Sequence, residues 1–197
     1  MRQLLVATNN AGKLREFERL LGDLPAEVVG PAQIGLRLEV PEPYETYAEN
    51  ATAKADAFCR ASGLLVLADD SGLEAAALDW GPGVRTGRFG GPDVADRVAA
   101  LLEQIDDATD RRARMVCWLA IGVPTEADPG IELFSGVMQG SVTRARRGSG
   151  GFGYDPVFEL PSGLTNAELP EAEKDRISHR GRAVAAASQR LRELLAD

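Results

Sequence analysis

The sequence predicts an α/β fold, and two observations carry that reading. The first is Leu64-Leu65-Val66-Leu67-Ala68, five apolar residues bounded by turn formers and too short for a helix, which reads as a buried strand. The second is the start of the chain, where the apolar run Gln3 to Ala7 leads into a segment with Leu14, Phe17 and Leu21 at helical spacing. Strands alternating with helices build open α/β sheets, whose ligands bind outside the carboxyl ends of the strands. With 197 residues, the chain makes one large domain or two closely joined lobes around a real core.

The strand at 64–68 delivers Asp69, Asp70, Ser71 and Gly72 to the point where it is expected to stop. Successive side chains of an extended backbone face opposite sides, so the two carboxylates have different tasks, one at a ligand and one tying down the turn. Taken alone, Asp-Asp-Ser-Gly also fits a simple polar turn.

In chain order, the first strand runs into Thr8-Asn9-Asn10-Ala11-Gly12-Lys13. Asn10 is a natural N-cap and places Lys13 in the first helical turn. A lysine there opposes the positive end of the helix dipole unless an anion shares the site with the free N–H groups; an unoptimised surface lysine fits the segment equally well. Residues 23–41 carry scattered Pro and Gly with β-prone Glu27-Val28-Val29, and then Pro41-Glu42-Pro43 forms a stiff loop presenting Glu42. Thr46-Tyr47-Ala48-Glu49 is a capping-box pattern opening a helix whose buried face is Tyr47, Ala51, Ala55 and Phe58, with Ser62-Gly63 closing it. Asn50 and Lys54, four apart, share another face, and Glu49 reads as a cap.

Leu73 to Leu78 follows the acidic turn, and Gly81 to Gly91 holds five glycines in eleven residues, a loop built for close backbone approach. Asp93 caps a helix that turns Val94, Val98, Leu101, Leu102 and Ile105 inward, and Asp106 to Arg114 is a solvated connection. Met115 to Val123 and Leu133 to Val142 are strands of a long-looped hairpin. Gly148 to Pro156 sets Phe152, Gly153, Tyr154 and Asp155 in a glycine-rich loop; its ring could stack on a base, and the loop equally suits a hinge with a packed phenylalanine. Glu173 to Arg182 holds Lys174, His179 and Arg180 just before an amphipathic helix of Val184, Ala187, Leu191, Leu194 and Leu195.

The net charge of −8 argues against a sequence-independent grip on nucleic acid, so an anionic ligand must be met by a local cluster of cations. Of 22 basic residues only Lys13, Lys54 and Lys174 are lysines, and His179 is the single histidine. All four fall in the segments singled out above. No apolar run approaches the roughly 20 residues of a membrane span, and the N-terminus is too short and too soon polar for a signal peptide. Cys59 and Cys117 form neither a disulfide framework nor a zinc pattern, so core thiols of a cytoplasmic protein are expected.

Together these motifs resemble the inosine triphosphate pyrophosphatase family, the dITP/XTP pyrophosphatases. The resemblance runs nearly end to end, through Ala7 to Lys13, Glu49-Asn50-Ala51, Ala68 to Leu73, Gly151 to Pro156, and Glu173-Lys174 with Ile177 to Gly181. The chain departs from that family after Pro82-Gly83-Val84, where Arg85-Thr86-Gly87-Arg88 replaces the usual Tyr and Ser-Ala-Arg, and at Asn9, where Gly or Ser is common. The resemblance implies a single domain over 1–197, with an elongated mixed sheet, flanking helices and two lobes around a central substrate cleft, usually as a homodimer. It implies cleavage of ITP, dITP or XTP at the α-phosphorus to the monophosphate and pyrophosphate.

Within that scheme Asp70 is the general base, and Glu42 with Asp70 suits Mg²⁺, a hard ion bound by few protein carboxylates plus phosphate oxygens. Asp69 has the supporting role. Lys13, Lys54 and the helix start at Asn10 are expected to hold the triphosphate, and Thr8, Asn9, Ala11, Gly12 and Ser71 to belong to the substrate site. Phe152, Gly153, Tyr154, Asp155, Lys174, His179 and Arg180 are expected around the purine, with Arg and His donating to O6; adenine, whose 6-amino group is a donor, leaves them unpaired. Guanine is expected to fail through its extra 2-amino group. Two alternatives are a Maf-like pyrophosphatase of modified or pyrimidine nucleotides and a sensor that binds a nucleotide without cleaving it.

Overall fold

The apolar run at the start of the chain becomes strand β1, Arg2–Val6, in a computed structural model that describes residues 2–196. Helix α1, Ala11–Leu20, starts where Asn10 accepts from the Gly12 and Lys13 amides at 2.8 and 3.1 Å, the expected cap. Ala26–Val29 forms β2, so the β-prone piece is a full strand, paired parallel to β1. Helix α2, Tyr47–Ser62, begins at Thr46, whose hydroxyl accepts from the Glu49 amide and donates to its carboxylate, and ends at Gly63 with φ 67°.

Strand β3 runs from Leu65 to Ala75, straight through the expected turn. A strand can carry Asp-Asp-Ser-Gly when its backbone stays in the ladder and its buried carboxylates find donors, and both conditions hold here. After the two-residue β4, Gly81–Pro82, comes α3, Val94–Gln104. Val98, Leu101 and Ile105 are buried as expected, but Val94 at the first helical position is exposed, and the Asp93 side chain makes no capping hydrogen bond. Strands β5, Arg112–Val123, and β6, Gly130–Val142, follow, so the end of the charged run is strand, with Ala113 buried. Strand β7, Phe158–Glu159, and helices α4, Glu171–Ile177, and α5, His179–Ala196, complete the chain.

Among the described residues the seven strands make one mixed sheet ordered β2-β1-β3-β5-β6-β7, with β4 on β3. β1 is parallel to both neighbours, whereas β3–β4 and β6–β7 are antiparallel. The flanking helices and this sheet give the expected α/β class.

The chain divides into two compact units. The first holds 1–70, 117–136 and 180–197. Its strands alternate strictly: Leu4, Val6 and Leu67 pack with Phe17 of α1 and Leu191 of α5, while Leu5, Ala7, Val66 and Ala68 pack with Ala51, Ala55 and Phe58 of α2. The second unit, 71–116 and 137–179, has its own core of Leu73, Leu101, Met138, Val157 and Phe158. No helix of the described residues is long and apolar enough to cross a membrane.

Candidate active site

The alternation of β3 decides what its two aspartates meet. Asp69 continues the Leu67 face, toward α1 and α5, and Asp70 continues the Ala68 face, toward α2. On the first face Lys13 Nζ lies 2.9 Å from Asp69 Oδ2, and Arg180 donates to the same oxygen at 3.3 Å. Arg180 also donates to Glu16 at 2.6 Å. Asp69, Glu16 and Arg180 are each at most 2% exposed. Burial alone pushes the Asp69 carboxyl up, but Lys13, Arg180 and Lys54 outweigh it and hold Asp69 far below the usual carboxylate range. Burial likewise opposes the Arg180 charge, and Glu16 and Asp69 reverse that effect. Asp69 is thus a charged anchor for Lys13 and Arg180.

On the second face Asp70 Oδ2 accepts from the Asn50 amide at 2.9 Å. Burial lifts Asp70 above its ordinary value, Lys54 pulls it back, and the Glu42 charge lifts it again. Lys54 donates to Glu42 Oε1 at 2.6 Å and to the Asp69 carbonyl. Its burial lowers its pKa, yet Asp69, Glu42 and Asp70 together raise it above that of a free lysine. A cationic group therefore already rests among Glu42 and Asp70, which shows that this corner suits positive charge. No cluster of three or more His, Cys, Asp or Glu is gathered for a metal among the described residues. A carboxylate pair of this kind fits an ion that takes its other ligands from phosphate and water.

The expected phosphate residues gather at the entry to α1. Thr8 Oγ1 accepts from the Asn10 amide, Asn9 donates to the Leu38 carbonyl, and Ala11 and Gly12 form the first turn beside Lys13. Ser71 lies in β3 directly after Asp70.

In the second unit the glycine-rich loop is wound around Asp155. Asp155 Oδ2 accepts from the Phe152 amide at 2.8 Å and from Lys174 at 2.7 Å. Its Oδ1 accepts from Asn166 at 3.2 Å. Gly151 has φ 68°, and a side chain there would strike the Asp155 carboxylate. Lys174 sits 5.1 Å from the centre of the Phe152 ring, so ring and ammonium are held together. Tyr154 is buried, with its phenol pushed up to about 12 by desolvation and its hydroxyl donating to the Thr86 carbonyl. His179, also buried, opens α5.

Sequence reasoning passed over three members of these clusters. Glu16 and Asn166 lie outside every motif singled out from the sequence. Asn50 belonged to a motif without having a task. The spacing of Glu16 three residues after Lys13, on the same side of α1, was the available signal for one of them.

A model of the Ham1 family matches residues 4–190. A dITP/XTP pyrophosphatase of Methylococcus capsulatus is 44% identical over 98% of both chains. One from Deinococcus deserti is 46% identical over 94% of this chain and 87% of its own. Among solved structures, a HAM1 protein from Coxiella burnetii superposes with a TM-score of 0.86 at 39% identity, covering 98% of this chain and 100% of the other. A nucleoside-triphosphatase, dITP/XTP pyrophosphatase, from Mycobacterium abscessus gives 0.71 at 39% identity over 93% and 97%.

Proposed function

The chain belongs to the Ham1 family, and on that premise we propose that it hydrolyses ITP, dITP and XTP to the monophosphate and pyrophosphate, removing non-standard purines from the nucleotide pool. The observation that carries the reading is the division of labour on β3. Asp69 is held between Lys13 and Arg180, while the adjacent Asp70 turns to the opposite face, where it meets Asn50 and where Lys54 pairs with Glu42. A carboxylate base set near ammonium groups suits phosphoanhydride hydrolysis, in which charge grows on the phosphate oxygens.

In the proposed reaction the triphosphate is met by Lys13, Lys54, Ser71 and the free N–H groups at the start of α1. Asp70 takes a proton from a water whose oxygen bonds to the α-phosphorus. The bond from that phosphorus to the bridging oxygen breaks, and pyrophosphate leaves with the electron pair. Glu42 and Asp70 would hold Mg²⁺, which supplies charge neutralisation on the phosphate oxygens when bound. In the base grip Phe152 stacks on the purine beside Lys174, and Asp155 fixes both. His179 donates to the 6-oxo group; Arg180, expected there from the sequence, is instead committed to Glu16 and Asp69. We further propose a single domain of two lobes that works as a cytoplasmic homodimer.

Membership in the Ham1 family favours this reading over a Maf-like pyrophosphatase. The test is pyrophosphate release from ITP, XTP, dTTP, UTP, ATP and GTP, with Mg²⁺ and with a chelator. ITP and XTP are expected to turn over only with Mg²⁺, and ATP and GTP poorly. Absence of release from ITP would leave a nucleotide sensor, and preference for UTP or dTTP would favour the Maf-like alternative.

A further inference from the structure

We infer that Asn50 is a positioning residue that sets Asp70 and the Glu42 loop in one register, and so builds the cation site from two carboxylates distant in sequence. The inference rests on the proposed roles of Glu42 and Asp70. Asn50 lies in the first turn of α2 and is 1% exposed. Its side-chain amide makes three hydrogen bonds: Nδ2 donates to Asp70 Oδ2 at 2.9 Å and to the Tyr44 carbonyl at 3.3 Å, and Oδ1 accepts from the Tyr44 amide at 3.1 Å. Both backbone polar groups of Tyr44 therefore end on this one side chain.

The helix does not need Asn50 for its start, since Thr46 and Glu49 already supply the cap. A buried amide costs free energy unless its bonds are made, and here they are made only to Asp70 and to the loop two residues past Glu42. Pro43 restricts the backbone of Glu42 before it, so pinning Tyr44 carries through a stiff dipeptide to the Glu42 carboxylate. One helical turn on, Lys54 takes Glu42 Oε1 at 2.6 Å. Residues four apart on α2 thus hold the two carboxylates, Asn50 from Asp70 and Lys54 from Glu42.

Groups that orient metal-binding carboxylates typically matter about 10- to 100-fold in affinity or activity. The test is calorimetric titration of Mg²⁺ into protein saturated with an ITP analogue uncleavable at the α–β bridge, beside steady-state kinetics on ITP at saturating Mg²⁺. Asn50→Ala is expected to weaken Mg²⁺ by about 10- to 100-fold and to lower kcat similarly, with little change in KM. In a Glu42→Gln background the same substitution is expected to weaken Mg²⁺ by less than in the wild type, while the loss in kcat that comes through Asp70 remains. Asn50→Gln keeps the amide and shifts it by one methylene; it serves if the alanine variant fails to fold, and the same loss is expected. Wild-type Mg²⁺ affinity in either folded variant overturns the inference, as does a full independent loss of Mg²⁺ affinity in Glu42→Gln. If the wild type itself neither binds Mg²⁺ nor cleaves ITP, the failure lies with the proposed reaction and not with Asn50.

Discussion

Replacing Glu16 by alanine removes one corner of a buried, charge-balanced cluster of Lys13, Asp69, Arg180 and Glu16. The Arg180–Glu16 contact is 2.6 Å, with the two side chains 3% and 1% exposed. Breaking such a buried pair by deleting one partner typically costs about 3–5 kcal/mol, because a charge is left uncompensated. Arg180 keeps Asp69 at 3.3 Å, which places the expectation at the low end, about 3 kcal/mol. For a chain of this size that corresponds to a fall in Tm of roughly 6–12 °C. Urea denaturation and calorimetry at neutral pH measure it directly. Buried pairs are weakly screened, so the loss is expected to persist in high salt. The internal control is Arg190→Ala, which breaks a 2.8 Å pair to Glu132 whose side chains are 39% and 37% exposed; about 1 kcal/mol or less is expected there, shrinking with salt. If the Glu16 variant loses no more than the Arg190 variant, or if salt abolishes its loss, the cluster is not the buried anchor described here.

Asp70→Asn is expected to lower kcat by roughly 10²–10⁴-fold, the usual scale for losing a general base, while ITP binding is largely retained; an active variant would remove Asp70 from that role. Lys13→Ala is expected to weaken triphosphate binding by roughly 10- to 100-fold, the worth of a charged hydrogen bond, and inosine binding hardly at all, as read by calorimetry with both ligands. Equal losses for both would contradict the phosphate assignment. Ultraviolet titration is expected to show a phenol ionising at about 12, absent in Tyr154→Phe. Because burial favours the neutral phenol, Tyr154 contributes stability that holds below about pH 10, the ordinary tyrosine value, and is progressively lost as pH rises past it. A Tyr154→Phe variant should therefore be less sensitive to alkali than the wild type.

Much of the site was legible before any fold was known. Asn10 as a cap, Lys13 in the first turn and Thr46 with Glu49 at the head of α2 are local matters, decided by hydrogen bonds within a few residues, and each took its expected place. The opposite facing of Asp69 and Asp70 needed only the two-residue period of an extended chain. The misreadings share one cause. Asp-Asp-Ser-Gly looked like a turn because local preference disfavours aspartate in a strand, and Val94 looked buried because helical spacing does not tell how deeply a first turn sits.

Sequence alone therefore determined periodicity, caps and which face each residue takes, since those follow from backbone geometry over short distances. Tertiary structure decided who meets whom. Arg180 reaches Glu16 across 164 positions, Asn50 ties Asp70 to the Tyr44 backbone, and Asn166 holds Asp155. Burial removes water as the default partner, so a carboxylate in a strand must find its donors in whatever elements the fold packs against it. No local pattern encodes those identities; they exist only once β3, α1, α2 and α5 of the first unit, and the loops of the second, have been assembled.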